Sequence, residues 1–562
     1  MQPGIIDSIR RNWYVAAALL LLFAVFVLRV SDTYSEFNGT YDEGLHISAG
    51  IEFYQDYRYT IHRQHPPLAP LALGLLPYLD GGRVEVGGGY FEPGRKLLER
   101  PEDYWRTLTL GRVGNLIFAP FLIGYVFVWA ARLYGNVAGL AAVAAVTSSP
   151  NVLAHAGLAT SDMAAATTLL AAAYHQSLWV TEPTRRHALW AGIAAGLAVG
   201  SKYSALGLLA PMLVIFVLWH HRQEWSLRGL SGLRAVLKPP AFFRRWALAA
   251  VLVLWACFGF QIDTLRDPEQ RPHGTIDRLT TPGTTAHTAA YNLAEHVPVP
   301  MIAFWEGLYM LGYHSGVGHP SQFLLREVRR FDGWWYYFPV VLSTKSTLPL
   351  LLLFALAAVG WRFRSKASES GTAYLMICIL IVLTMAMLSG INIGVRHVLV
   401  LYAFASIWIA CLFSSDLRGR RGRILRGFAL VGLTAHIGLS LQAHPDYLAY
   451  FNETVRGREH RVLSDSNLDW GQDLSRLARY LDENQIDKIH LAYFGMTSSE
   501  AVGIHGAEPL SPADRPQGWV AVSVTFLQGN YLPEEGPDYS WLQAHTPHAK
   551  IGKSIWLYHL EH

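Results

Sequence analysis

The sequence predicts a polytopic α-helical membrane protein of about eleven transmembrane helices with a small C-terminal extracytoplasmic α/β domain. Three observations carry that prediction. Hydrophobic residues make up 51% of the 562 and charged residues only 16%, with a mean hydropathy of +0.21, a balance that excludes disorder. Apolar runs of about bilayer-crossing length recur through the first 442 residues. Beyond them the composition turns polar. A formal net charge of +4 is too small to argue for nucleic acid, and the three cysteines, Cys257, Cys378 and Cys411, all inside apolar runs, exclude a disulfide scaffold.

The runs fall at 12–30, 108–131, 136–153, 160–180, 187–201, 203–220, 245–262, 334–360, 372–390, 396–414 and 424–442. The first follows Arg10 and Arg11 and ends in Leu28-Arg29-Val30-Ser31 with no small-x-small cleavage pattern, so it reads as an uncleaved anchor. Alternate connections hold the basic residues: Arg185 and Arg186; Arg222, Arg228, Arg234, Lys238, Arg244 and Arg245; Arg362, Arg364 and Lys366; Arg418, Arg420, Arg421, Arg423 and Arg426. The connections near 154–160 and 391–395 hold no Lys or Arg. This asymmetry predicts a cytoplasmic N-terminus in a plasma (inner) membrane. An odd number of spans then puts the segments 31–107, 263–333 and 443–562 on the outer face. The organisation expected is a transmembrane catalytic domain, 1–442, followed by a periplasmic or extracellular domain, 443–562. In that tail, Leu474, Leu477, Tyr480 and Leu481 predict an amphipathic helix over 472–484, and strand-like runs lie at 489–494, 518–526 and 553–559. The glycines at 81–82 and 87–89 lack GxGxxG spacing and read as turns.

Just after the first run comes Tyr41-Asp42-Glu43-Gly44-Leu45-His46, and about twenty residues later His62-Arg63-Gln64-His65-Pro66-Pro67-Leu68. Two adjacent carboxylates could simply cap an interfacial helix. Asp42 and His46 share one face of any helix starting there, however, and His65-Pro66-Pro67 predicts a rigid extended segment able to return beside them. On these residues the sequence resembles the GT-C glycosyltransferases, specifically the protein O-mannosyltransferase and aminoarabinose-transferase group (glycosyltransferase family 39), over about residues 10–415. The shared features are an Asp-Glu pair in the first outer loop, a following HPPL segment and eleven or more helices with a cytoplasmic N-terminus. The resemblance implies a sugar donor on a polyprenyl or dolichyl phosphate and a catalytic pair, Asp42 and Glu43, with Asp42 as base towards an acceptor hydroxyl. Where aminoarabinose transferases carry Glu-Lys-Pro-Pro-Leu, this chain has Gln64-His65-Pro66-Pro67-Leu68, so the glutamate of a metal site is replaced.

A lipid-phosphate donor demands cations at the outer ends of helices, where the phosphate sits while its tail stays in hydrocarbon. Arg112, Lys202, Lys345 and Arg396 stand there and are the candidate phosphate ligands. Snorkelling to the interface is the plain alternative for Arg112 and Arg396. Lys345, flanked by apolar residues, needs an anionic partner, either a carboxylate or the donor phosphate. The resemblance favours phosphate for Arg112. His46, His65, Asp162 and His397 are expected to line the acceptor side, although Asp162 at the entrance of its run could equally be a helix cap. Asp42, Glu43 and Asp162 are candidate oxygen ligands for Mg²⁺ or Mn²⁺, while the mannosyltransferases of the group are not thought to need a metal.

His314 and His319 stand in a glycine-rich stretch of the loop 263–333 and read as core or surface histidines beside a mobile loop. Ser464-Asp465-Ser466-Asn467-Leu468-Asp469-Trp470-Gly471-Gln472-Asp473 is the most distinctive stretch of the tail and resembles a motif of bacterial members of the same group. Its role is open between structural capping and contact with the acceptor. Asn38-Gly39-Thr40 and Asn452-Glu453-Thr454 fit a glycosylation sequon, a pattern common by chance. The function expected is transfer of a sugar from a polyprenyl-phosphate donor to a hydroxyl on a protein, lipid or glycan at the outer face, with Asp42 as general base. A lipid-linked-sugar flippase and an oligosaccharide transferase are the rivals. An enzyme predicts charges gathered at one side of the membrane, and a transporter predicts charges through its depth.

Overall fold

A computed structural model describes residues 13–223, 241–264, 280–361, 369–417 and 419–561. Arg10, Arg11, Arg228, Arg234, Lys238, Arg362, Arg364, Lys366 and Arg418 lie outside the described residues. Each of the eleven apolar runs forms helix. Among the described residues, four helices are long and apolar enough to cross a membrane unaided: Trp13–Ser35, Pro101–Tyr134, Glu369–Met387 and Gly419–Gln442. Two bent pairs raise this to six: Asn136–Thr147 with Pro150–Ala156 at 67°, and Tyr337–Lys345 with Leu348–Gly360 at 111°. Pro150 and Pro349 stand at the first turn after each break, where a missing N–H is tolerated. The breaks meet, because Asn151 Nδ2 donates to the Lys345 carbonyl at 2.8 Å.

The remaining helices of the bundle are shorter or richer in small residues. Asp162–Thr181 is buried on nearly all sides and runs through the middle of the bundle. Arg185–Ser201 packs on Phe243–Cys257 through Gly192, Gly196 and Gly200, one every turn. A Cβ at Gly192 would stand 2.3 Å from the Trp246 carbonyl, and one at Gly196 2.6 Å from that of Ala250. Small residues at this spacing let two backbones touch, the usual way helices associate in lipid.

The connections within 31–107 and 263–333 hold short helices and irregular chain. Helices Glu43–Asp56 and Leu68–Leu79 cross at Gly50 and Gly74, where a Cβ on Gly50 would meet the Pro70 carbonyl at 1.9 Å. The expected extended segment at His65-Pro66-Pro67 is instead a turn: Pro67 takes helical angles and caps Leu68–Leu79. The glycine-rich stretch near 312–316 is likewise helix rather than loop. Ile302–Val317 ends at Gly318 with φ +86°, and Trp305, Tyr309 and Tyr313 form an exposed aromatic stripe at four-residue spacing. Two short antiparallel ladders complete the loop 263–333, β1 (Ile262–Thr264) with β2 (Pro298–Pro300) and β3 (Gln322–Leu324) with β4 (Glu327–Arg329).

The tail contains the expected amphipathic helix, Leu474–Glu483, and a five-stranded mixed sheet of order β6-β5-β7-β9-β8. Its strands are β5 (Ile489–Ala492), β6 (Ala507–Pro509), β7 (Gly518–Ser523), β8 (Ala549–Ile551) and β9 (Ile555–Leu560). β5 lies parallel to β6 and β7, while β9 runs antiparallel to β7 and β8. The short strands β6 and β8 carry no alternating apolar pattern and escape the sequence.

Candidate functional site

Asp42 is the N-cap of Glu43–Asp56, and its neighbour points elsewhere, since successive helical residues are turned by about 100°. Asp42 Oδ2 accepts from Arg396 Nη1 at 2.7 Å at the wall of a cavity of about 670 Å³. Glu43 faces the interior with no exposed surface. There it takes Arg112 as a two-pronged partner at 2.8 and 2.9 Å and accepts from the amides of Thr40 and Ala159. Burial alone would raise the Glu43 carboxyl, but the Arg112 charge and these donors together hold it below the ordinary carboxylate range. Arg112 spends its other N–H groups on the carbonyls of Phe37 and Asn38 at 2.8 and 2.9 Å.

Two phosphate ligands expected from the sequence are therefore reassigned. Arg112 does not line the cavity, because Glu43 and the carbonyls of Tyr34, Phe37 and Asn38 occupy its N–H groups. Lys345 is fully buried and finds neither carboxylate nor cavity. Its ammonium donates to the carbonyls of Leu448 and Asn467 at 2.7 and 2.6 Å and lies 4.5 Å from the Phe451 ring centre. Lys202 and Arg396 do line the cavity. Lys202 donates to Asp162 at 2.9 Å from behind, and Arg396 rests 4.3 Å over the Trp470 ring. Asp162 is thus a partner of Lys202 rather than a wall of the cavity.

Of the expected acceptor-side histidines, His65 and His397 line the cavity and His46 lies just behind. The rings of His46, His62 and His65 stand 4.6 to 5.2 Å apart. Burial pushes His46 down to about 3 and holds His62 and His65 well below the usual imidazole range, so all three are neutral at pH 7. His65 is positioned by Ser161 at 3.1 Å and His62 by the Tyr90 hydroxyl at 2.5 Å. His314 and His319 also line the cavity, their rings 5.8 Å apart.

The metal set Asp42, Glu43 and Asp162 does not fit a bound cation. Each carboxylate is turned to its own cation, Arg396, Arg112 or Lys202, and among the described residues no three His, Cys, Asp or Glu converge as ligands.

The tail supplies what the sequence did not announce. Its segment 464–475 stitches the two loops that carry Asp42 and Arg396. Tyr41 N–H donates to the Trp470 carbonyl at 3.0 Å, and Asn38 Nδ2 donates to that of Gly471 at 2.7 Å. Ser466 Oγ donates to the Ile393 carbonyl at 2.8 Å, and Asn467 Oδ1 accepts from Val395 at 3.0 Å. The three motif aspartates, four apart in sequence, have separate partners. Asp469 binds the Thr525 amide at 2.9 Å and Asp473 the Ser554 hydroxyl at 2.8 Å, while Asp465 enters the cavity. Trp470, Phe494 and Tyr531 of the tail line it too, together with Tyr41, Tyr90 and Phe91. The motif could have pointed to Asp465 and Trp470, but no pattern marks Phe494 or Tyr531. Asn38 and Asn452 are fully buried with bonded amides, which overturns both sequons.

Residues 107–237 match the family model described as dolichyl-phosphate-mannose-protein mannosyltransferase. Among solved structures, the chain is similar to ArnT from Cupriavidus metallidurans bound to undecaprenyl phosphate. Identity is 14% and the TM-score 0.50, covering 96% of this chain and 97% of that one. It is also similar, at 14% identity and a TM-score of 0.40, to the Archaeoglobus fulgidus oligosaccharyltransferase AglB in complex with an inhibitory peptide and a dolichol-phosphate, covering 90% of this chain and 62% of that one. No curated protein sequence matches.

Proposed function

We propose that this chain, a polytopic protein of the GT-C fold, is a membrane glycosyltransferase that moves a sugar from a polyprenyl-phosphate donor to an acceptor hydroxyl at the outer membrane face. One observation carries the reading: one cavity is lined both by the charged Asp42, Lys202 and Arg396 and by the apolar Leu208, Leu311, Phe338, Val382 and Met385. That mixed lining suits a ligand with an anionic head and a hydrocarbon tail. The volume of about 670 Å³ suits one sugar phosphate with its first prenyl units. Charged side chains gathered about one cavity, with Asp42 bonded to Arg396 and Lys202 to Asp162, favour an enzyme over a passage. The exposed Trp305, Tyr309 and Tyr313 stripe suits the headgroup level, which would set the cavity mouth at the outer leaflet.

In this reading Asp42 accepts the proton of the acceptor hydroxyl as its oxygen attacks the anomeric carbon. The bond from that carbon to the phosphate oxygen breaks, and the polyprenyl phosphate leaves with one more negative charge. Lys202 and Arg396 stabilise that charge from fixed positions, so little rearrangement accompanies the step. Asp162 holds Lys202 in place, and Arg396 links the base to the leaving group. A single displacement inverts the anomeric centre.

The test uses detergent-purified protein with undecaprenyl phosphate and a panel of polyprenyl-phosphate hexoses and pentoses. Wild-type protein is expected to bind undecaprenyl phosphate and to transfer label from at least one donor. Asp42→Asn is expected to bind the lipid and transfer nothing. Retention of about a tenth or more of wild-type turnover by Asp42→Asn removes Asp42 as base, since loss of a general base costs about 10²–10⁴-fold.

A further inference from the structure

The motif 464–473 leaves one carboxylate unassigned to structure. Asp465 is 5% exposed and lies in the cavity wall, and it is a non-glycine residue at φ +54°. Tyr531 meets it there, with its hydroxyl donating to Asp465 Oδ2, and Tyr531 is itself at φ +61°. Two side-chain-bearing residues from separate stretches of the tail are thus each held in a left-handed conformation, a strain that persists only where the surroundings impose it. The surroundings are identifiable. Ser466 N–H bonds Asp465 Oδ1 at 2.5 Å, and the Tyr531 amide donates to Ser321 Oγ at 2.8 Å, fixing both from behind.

Around this pair the cavity has the chemistry of a carbohydrate site. Tyr41, Phe494 and Tyr531 form a continuous stack, with ring centres 5.1 and 5.0 Å apart and planes within 25°. Their edges make an apolar wall against which the C–H face of a sugar ring can rest. The Asp465 carboxylate and Tyr531 hydroxyl beside it offer the acceptors that ring hydroxyls need. Three residues of the same cavity carry unsatisfied groups: Arg396 Nε, His62 Nε2 and His397 Nε2 are buried without a hydrogen-bond partner. Buried polar atoms are normally paired, so orphaned ones on three cavity residues leave bonding capacity for a polar ligand.

We propose that Asp465 and Tyr531, with the stacked rings of Tyr41 and Phe494, form a saccharide subsite that the tail contributes to the transfer cavity. The inference rests on the glycosyltransferase reading and deepens it. Its ligand is a sugar ring with free hydroxyls, carried either by the donor lipid or by a glycan acceptor.

Asp465→Asn is the chosen variant because asparagine tolerates a left-handed backbone while removing the charge. Tyr531→Phe keeps the ring and removes the hydroxyl. If the donor sugar occupies the subsite, each variant binds polyprenyl-phosphate sugar at least about tenfold more weakly, the weight of one charge-assisted hydrogen bond. Each still binds sugarless undecaprenyl phosphate as wild type does. If an acceptor sugar occupies it, both lipids bind normally and KM for a glycan acceptor rises by a similar factor with kcat little changed. Either result supports the subsite. It is overturned if sugarless lipid and sugar lipid weaken equally in both variants, or if binding and transfer are unchanged in both. Wild-type protein that fails to bind undecaprenyl phosphate sinks the glycosyltransferase reading itself, whereas wild-type binding with unaffected variants sinks the subsite alone.

Discussion

Because neighbouring helical residues diverge, the Asp42-Glu43 pair separates into a cavity carboxylate and an interior one, and their cations separate with them. Arg396 and Lys202 are expected to act on the donor, so Lys202→Ala and Arg396→Ala should each weaken undecaprenyl phosphate binding by about 1.5–3 kcal/mol, and Lys202→Ala should also lower the thermal midpoint because it strands the buried Asp162. Arg112→Ala should lower the midpoint without the loss of affinity. Removing one partner of a buried pair costs about 3–5 kcal/mol, so the folded yield should fall while the remaining folded protein keeps wild-type affinity. An Arg112→Ala protein of normal stability and weakened lipid binding would return Arg112 to the phosphate site. The acidic pair was legible in the sequence, but which cation served which carboxylate was not, because the pairing depends on helix rotation. His46, His62 and His65 give a pH signature. Their folded forms resist protonation, while the unfolded chain protonates near 6.5. As pH falls below about 6.5 the unfolded state takes protons the folded state cannot, and stability falls by up to about 1.4 kcal/mol per pH unit per histidine. Asp469, pushed up to about 7 by burial, acts with the opposite sign: its folded form keeps a proton the unfolded form loses, so its share of stability falls as pH rises from about 4 to 7. His46→Gln should flatten the rise of the thermal midpoint between pH 5 and 7, and Asp469→Asn should steepen it. Parallel shifts in the two variants would contradict these assignments.

At the scale of elements, all eleven helical runs were legible because a continuous apolar stretch long enough for a bilayer has few other uses. Their breaks were not. The 111° bend at Lys345 is supported from the tail, where Asn452 donates to the Ser343 and Ser346 carbonyls at 2.6 and 2.8 Å, and no local pattern announces a partner a hundred residues away. The glycine row of Arg185–Ser201 offers a direct check. Gly196→Val should force that helix from Phe243–Cys257 and lower the thermal midpoint, an overpacking cost of about 1–3 kcal/mol or more. Gly124→Ala, with nothing within 4 Å of its added methyl, should leave it unchanged or raise it. Equal effects at the two positions would mean that the helices do not touch along the glycine row.

For the whole molecule, Asp42 and the tail are proposed to lie on one side of the membrane, which a topology of eleven spans requires. All three native cysteines are buried, so introduced ones give a clean readout. A cysteine replacing Ser511 should react with an impermeant thiol reagent from outside, and one replacing Ser231 should not. The reverse pattern inverts the topology, and labelling of both from outside makes the span count wrong. The composition changes near 443, yet the segment that follows is where the loops carrying Asp42 and Arg396 are joined. Tyr41 and Asn38 on one side and Ile393 and Val395 on the other are tied to the same dozen tail residues, and Arg396 lies against Trp470 while gripping Asp42. The alignment of Asp42 with Arg396 is therefore inherited from both ends of the gene at once. A chimera that exchanges only the exposed loop 533–538 should retain the geometry around Asp42, since Thr525 and Ser554 stay to hold Asp469 and Asp473. One cut at 443, where composition alone invites the cut, should lose it even if both parts come from working proteins.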